Sequence, residues 1–390
     1  MGGNLESYRQ ASESLKVTLN LEVTARAIEN VTEKLGAERA ELRDAEVLKF
    51  EKGELVPRHT EPPAVAVVTL DGGRAQVRSS DSPPGVHGEC WTETKVADFQ
   101  TYTLVSHERD PQPEPPRDFL DPEKVRKLVE ELKGAAGPAK KRSKAQTDRQ
   151  ERTSEDRKIK MPRPKLKVRT VVATLKGAEE FGRLAVAEAA ARGFFKALRK
   201  ALVGDGSAWI WNLALFQFVG FTLILDFVHL LSYLYAAAHA AHGGDAKKSW
   251  KLYERLLRLA WAGNTIALIS LLEKEAQRLG EPPKGAPQND PRQVVAGALQ
   301  YVVNNKDRTD YARYRREGLP ISSCQIESRI KQINRRVKGT EKFWTREGLE
   351  AVLQVRAASL SDDGRRESFW LKRPAGRARG RNRQNLVQAA

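Results

Sequence analysis

The chain has 390 residues, enough for two or three domains, and 67 lysines and arginines against 50 acidic residues give a formal charge of +17. That balance favours a polyanionic partner, nucleic acid ahead of an anionic membrane surface. Cys90 and Cys324 lie far apart without CxxC or Cys/His spacing, so neither a disulfide framework nor a structural zinc site is supported.

The opening residues lack the apolar core of a signal peptide, and a cytoplasmic location is expected. Residues 1–58 form a helical N-terminal region. From Leu5 to Val47 they read as two or three short helices, with Leu21, Val23, Ala27, Ile28, Val31 and Leu35 near helical spacing. A DNA-binding helix-turn-helix and a helical hairpin that only packs on the core both fit that pattern. Residues 59–110 open the core. An apolar β-branched strand from Ala64 to Leu70 stops at Asp71 and turns through Gly72 and Gly73. A second strand follows over Arg74 to Arg78, and a third over Glu89 to Val105.

Residues 111–164 are rich in proline and charge and form a linker, broken by a short helix from Pro122 to Leu132. Residues 165–238 continue the core: the strand RTVVATL, a helix from Ala178 to Arg199, a strand ending at Asp205 before Gly206, and the helix SAWIWNLALFQF. The buried strand in GFTLILDFVH then leads into a helix through Tyr235. This apolar stretch, Ala208 to Ala241, is interrupted by Gln217, Gly220, Asp226 and His229. No clean run reaches the ~20 residues of a membrane span.

Residues 239–304 read as an all-helical insertion, 305–362 as C-terminal helices of the core, and 363–390 as a basic disordered tail. From Gly364 onward that tail has eight basic residues and one acidic one. Three strands, then alternating helices and strands, is the order of an α/β RNase H-like core.

Two-metal phosphodiester chemistry needs carboxylates converging on ions about 3.5–4 Å apart, held on rigid elements. Asp71 and Asp205 sit at strand ends, each followed by glycine, although such a pair alone usually marks only a turn. The third element is GLPISSCQIESRIKQINRRVKG, where Pro320 and Ser322 mark a helix start and Ser322 with Gln325 resembles a capping box. Ile326, Ile330, Ile333 and Val337 form an apolar stripe. Glu327, Lys331, Asn334 and Lys338 form the polar stripe beside it. Taken alone, Glu327 is more simply a surface partner of Lys331 at i+4. His229 reads equally as a satisfied histidine in an apolar strand, with Asp226 its partner or a helix cap.

The stretch from Tyr301 to Ala358 resembles the C-terminal signature of bacterial insertion-sequence DDE transposases of the ISKra type, related to the Mutator-like superfamily. The Glu327-Ser328 pair matches that family's Val-Glu-Ser segment. LVGDGSAWIWN resembles its second-aspartate motif at Asp205, LDFVH its Asp-x-x-His element at Asp226 and His229, and VVTLDGG its first-aspartate strand at Asp71. WTETKVADF resembles its third strand. The resemblance covers roughly residues 60 to 360 without the linker. It departs at Ser323 and Cys324, where relatives carry small glycine-containing turns, and lacks the cysteine-rich zinc-binding segment frequent at the family's N-terminus.

The resemblance implies a transposase that cuts and joins DNA at element ends, with Asp71, Asp205 and Glu327 as catalytic residues holding Mg2+ or Mn2+ and Asp226 and His229 in support. Its partners would be terminal inverted repeats and target DNA, handled by a homo-oligomer, with no membrane involved. Arg329, Lys331, Arg335, Arg336 and Lys338 are candidate phosphate contacts, and Trp344 more simply packs. Two alternatives share the core: an RNase H-like nuclease without strand transfer, and an inactive or truncated transposase that only binds DNA.

Overall fold

The computed structural model describes residues 2–3, 5–58, 61–78, 90–135, 163–339 and 342–373, without the side chains of 133–135, 324, 325 and 327. The N-terminal region forms α1 (Tyr8–Leu19) and one long helix, α2 (Ala25–Glu51), in place of several short ones. Thr24 caps α2 by accepting from Ala27 N at 3.2 Å. Ile28, Thr32, Gly36 and Val47 face inward, and the helix lies so close to the backbone of Ala351 that Gly36 has no room for a side chain.

The first strand, β1 (Val65–Val77), runs unbroken through Asp71, Gly72 and Gly73, where a hairpin turn was expected. It pairs antiparallel with β2 (Trp91–Tyr102), with Asp71 opposite Val96 and Gly73 opposite Thr94. After α3 (Pro122–Ala135), β3 (Leu166–Thr174) pairs antiparallel with β2. The three antiparallel strands therefore exist, but the third arrives from beyond the linker. α4 (Ala178–Ala191) stops short of Arg199, since Gly193 breaks the helical run. β4 (Arg199–Gly204), α5 (Ala208–Gln217), β5 (Thr222–Leu225) and α6 (Phe227–Ala241) follow.

The sheet order is β3-β2-β1-β4-β5, with β1, β4 and β5 parallel. This mixed α/β sheet is consistent with an RNase H-like core. Helices α7 (Ala246–Trp261), α8 (Thr265–Leu279) and α9 (Pro291–Asn304) occupy the stretch read as helical. Leu256, Leu268 and Val302 share one apolar core with Val68, Phe99 and Leu202 of the sheet.

After α10 (Tyr311–Arg316), α11 (Cys324–Val337) lies across β1 and β2. Then come β6 (Phe343–Trp344), α12 (Arg346–Leu360) and α13 (Arg365–Lys372). The last of these corrects the tail: residues 365–372 are helical, and 374–390 lie outside the described residues. β6 extends the sheet by pairing with β1 at Gln76 and Val77.

Alternation along β2 and β3 feeds two cores on opposite faces. Ala97, Phe99 and Val172 join the larger one, and Val96, Val171 and Ala173 join the one closed by α11 and α12. The predicted stripe of Ile326, Ile330, Ile333 and Val337 is buried in that second core. Among the described residues no helix is long and apolar enough to cross a membrane.

Candidate active site

Parallel pairing of β1 with β4 places Thr69 opposite Val203. Two residues further along each strand stand Asp71 and Asp205, so the same register brings the two aspartates to neighbouring positions at the end of the pairing. Asp71 is not at a turn. It sits where β1 outruns β4, with its Oδ1 accepting from Gly72 N at 2.6 Å. The glycines serve close approach across the sheet instead: a Cβ at Gly73 would lie 2.7 Å from Thr94 Oγ1 on β2, with Asn334 and Ile330 of α11 in ordinary contact at 3.4 and 3.8 Å.

Asp205 follows the last residue of β4. Its Oδ1 accepts from Ser207 N at 2.9 Å, an Asx turn that starts α5. Its carbonyl accepts from Tyr301 Oη on α9 at 2.6 Å. Gly206, at φ 97°, admits the Tyr301 ring, which would stand 2.6 Å from any Cβ there.

Asp226, fully buried between β5 and α6, is the N-cap of α6. Its Oδ1 accepts from Val228 N at 2.6 Å and His229 N at 3.1 Å. Its Oδ2 accepts from Ser323 N at 2.6 Å and from Ser323 Oγ. One carboxylate thus joins the first turn of α6 to the first residue before α11. Burial opposes its charge, yet His229 and the Ser323 donors hold its pKa below the ordinary value.

His229 stands in the first turn of α6, not in a strand, with Nδ1 3.7 Å from Asp226 Oδ1. Burial disfavours its imidazolium. Its interaction with Asp226, and the charges of Asp205 and Asp71, outweigh this and raise its pKa to about 9. The structure therefore brings Asp71, Asp205, Asp226 and His229 to one end of the sheet.

The side chain of Glu327, the expected third ligand, lies outside the described residues. Its backbone belongs to the first turn of α11, between the tie at Ser323 and the contact of Ile330 with Gly73. The cap itself differs from expectation: Ser323, not Ser322, is the N-cap, and its hydroxyl serves Asp226, while the side chain of Gln325 lies outside the described residues. Among the described residues no three His, Cys, Asp or Glu side chains form a metal cluster. The donor set still suits a hard divalent cation, because Asp71 and Asp205 are carboxylates on neighbouring strands at one end of the sheet.

The five basic candidates of α11 divide. Arg336 is 3% exposed, donates from Nε to Gly2 O at 2.9 Å, and lies over the rings of Tyr8 and Trp344 at 4.3 and 4.9 Å. It is an internal tie, not a phosphate contact, because the N-terminus folds over it. Arg329 is half-buried; burial and nearby Arg169 lower its pKa, with Asp98 as the opposing charge.

Lys331 is exposed and its Nζ lies 3.5 Å from Glu131; the expected pairing with Glu327 falls on a side chain outside the described residues. Arg335 is exposed, and Lys338 lies 5.6 Å over the Trp91 ring, near Arg74. Trp344 packs as expected, its indole N–H donating to Val337 O at 2.8 Å.

Three positions had no sequence signal. Ser323 appeared only as a departure from the family turn, Tyr301 as one aromatic in an apolar helix, and Asp98 as one polar residue of an alternating strand. No protein-family model and no curated protein matches the chain.

Proposed function

We propose that the chain is a metal-dependent DNA-cutting and DNA-joining enzyme of the insertion-sequence DDE transposase type, built on an RNase H-like core. The observation that carries this reading is the β1–β4 register, which runs Asp71 and Asp205 out from neighbouring strands at the same end of the sheet, with His229 near enough for both charges to raise its pKa.

Asp71, Asp205 and Glu327 would hold Mg2+ or Mn2+. Bound there, such ions supply Lewis-acid activation of the attacking and leaving oxygens of a phosphodiester. Asp226 is a positioning residue: through Ser323 it fixes the start of the helix that carries Glu327. Lys331, Arg335 and Lys338, joined by Arg74, supply positive charge along one side of the site, suited to backbone phosphates. Hydrolysis at the element ends would free 3′-hydroxyls, which then attack target DNA.

Asp205→Asn keeps the Ser207 turn but removes a ligand charge. It is expected to reduce strand cleavage to background while DNA binding persists in a mobility-shift assay. Undiminished cleavage would reject the assignment. A pre-cleaved substrate with a free 3′-hydroxyl separates the readings: joined products support transposition, and cleavage without joining supports a nuclease.

A further inference from the structure

We infer a nucleobase-stacking site beside the carboxylates, formed by Tyr233 of α6 and Tyr301 of α9. The inference rests on the DNA-processing reading above and adds to it a specific contact with an unpaired base of the strand being processed.

Four observations converge. The two rings are stacked, with centroids 3.9 Å apart and planes within 9°. Tyr301 is anchored to the strand end itself, through its hydroxyl on Asp205 O at 2.6 Å and its ring against Gly206. The platform therefore has a fixed place next to Asp205.

Tyr233 lies one turn after His229 on α6, yet the residue is 41% exposed. Among the described residues it makes no second ring contact. A rigid aromatic face held open to solvent, next to a charged site, is poorly explained by packing, since α6 and α9 are already joined through buried Leu230, Leu234, Ala298 and Val302.

Gly297 stands one turn before Tyr301 on the same side of α9, and a Cβ there would meet nothing within 4 Å. Glycine inside a helix costs stability relative to alanine, and no close neighbour requires it here. The space it leaves lies beside the stack. A planar, uncharged ring is the ligand this suits, because every base offers a π-face and stacks without sequence readout. Acidic groups nearby disfavour a phosphate in the same spot, which leaves the base, not the backbone, for the tyrosines.

The test is photo-crosslinking of the full-length protein to a splayed DNA duplex whose single-stranded arms carry 5-iododeoxyuridine, followed by mass spectrometry of the adduct. Wild type is expected to give an adduct at Tyr233, and Tyr233→Phe, which keeps the ring, an adduct at the same position. Tyr233→Leu should lose the adduct and weaken binding to the splayed substrate by about tenfold, leaving binding to fully paired DNA unchanged. Gly297→Leu fills the space with a helix-favouring residue and leaves Tyr233 intact, so it should lose the adduct even if Tyr233→Leu folds poorly.

A wild-type protein that cleaves DNA but forms its adducts elsewhere, or whose Gly297→Leu variant crosslinks normally, overturns the stacking site and leaves the enzyme assignment standing. A protein that neither binds nor cleaves DNA overturns both.

Discussion

Two groups of buried or half-buried carboxylates in this molecule are built on opposite principles. At the β3 edge of the sheet, Glu188 and Asp363 are met by three guanidiniums. Arg58 is 2.8 Å from Glu188, Arg365 is 2.7 Å from Glu188 and 2.8 Å from Asp363, and Arg192 is 2.8 Å from Asp363. Burial opposes the charge of Glu188, but Arg365, Arg58 and Arg192 hold its pKa below the ordinary value. At the ends of β1, β4 and β5 stand Asp71, Asp205 and Asp226, and the charges of all three raise the pKa of His229, whose Nδ1 lies 3.7 Å from Asp226. The first group is matched from within and ties α4 to the segment leading into α13. The second gathers carboxylates where the strands end, which under the proposed function is where a cation would be held.

The sharpest way to break this comparison is to neutralise one carboxylate in each group. Asp205→Asn should eliminate cleavage, yet the metal-free variant should melt no lower than wild type, because a repelling charge is removed and the Ser207 turn is kept. Glu188→Gln should do the reverse. It removes the buried carboxylate that Arg58 and Arg365 share, leaving Arg58 with Glu46 and Arg365 with Asp363, at a cost of roughly 1–3 kcal/mol of folding stability. Cleavage per folded molecule should be unchanged. Thermal unfolding together with a cleavage assay on both variants decides the matter, and a large loss of stability in Asp205→Asn would make the site carboxylates structural.

What was legible in the sequence followed from local pattern. The run before Asp71, the strand end at Asp205, the cap at Asp226 and the stripe of α11 each follow from periodicity or turn chemistry within a few residues. What was not legible depended on distant partners. Gly72 and Gly73 are a hairpin signal locally, but pairing with Lys95 and Thr94 of β2, beyond any local window, makes them the middle of a strand. Arg336 belongs to a basic run, and only the N-terminal residues folding over it turn it inward. Ser323 lies 97 residues from the carboxylate it serves, so no window around either residue could pair them.

Asp98 stands between the two groups. It is fully buried on β2 opposite Thr69, one position along the same sheet face from Asp71, and its Oδ1 has no hydrogen-bond partner among the described residues. Burial pushes its carboxyl up to about 6, against Gln100 Nε2 at 2.8 Å from Oδ2 and the charges of Arg169 and Arg329. The folded value lies above the ordinary 3.8, so its stabilising contribution is complete below that pH and is lost as pH rises through 6. Asp98→Asn removes this loss. Relative to wild type, the variant should gain on the order of 3 kcal/mol between pH 4 and 7 in denaturant unfolding. A variant that instead falls behind as pH rises would show Arg169 and Arg329 holding Asp98 ionised, a strut like Glu188.

The smallest expected effect tests whether Asp226 positions the third carboxylate or merely stabilises the fold. Ser323→Ala removes the hydroxyl donor to Asp226 Oδ2 but keeps the backbone donor at 2.6 Å. Asp226→Asn faces an amide N–H₂ toward groups that themselves donate, so the tie to α11 weakens further. If the tie sets where Glu327 stands, cleavage should fall about 10–100-fold in Asp226→Asn and less in Ser323→Ala. The loss should appear in kcat with little change in KM for DNA, since the exposed basic residues of α11 remain. The Mn2+ concentration giving half-maximal cleavage should rise in the same order. A purely structural role would lower the melting temperature of both variants and leave that concentration where it was, because a correctly placed ligand set binds its ion equally well in every molecule that has folded.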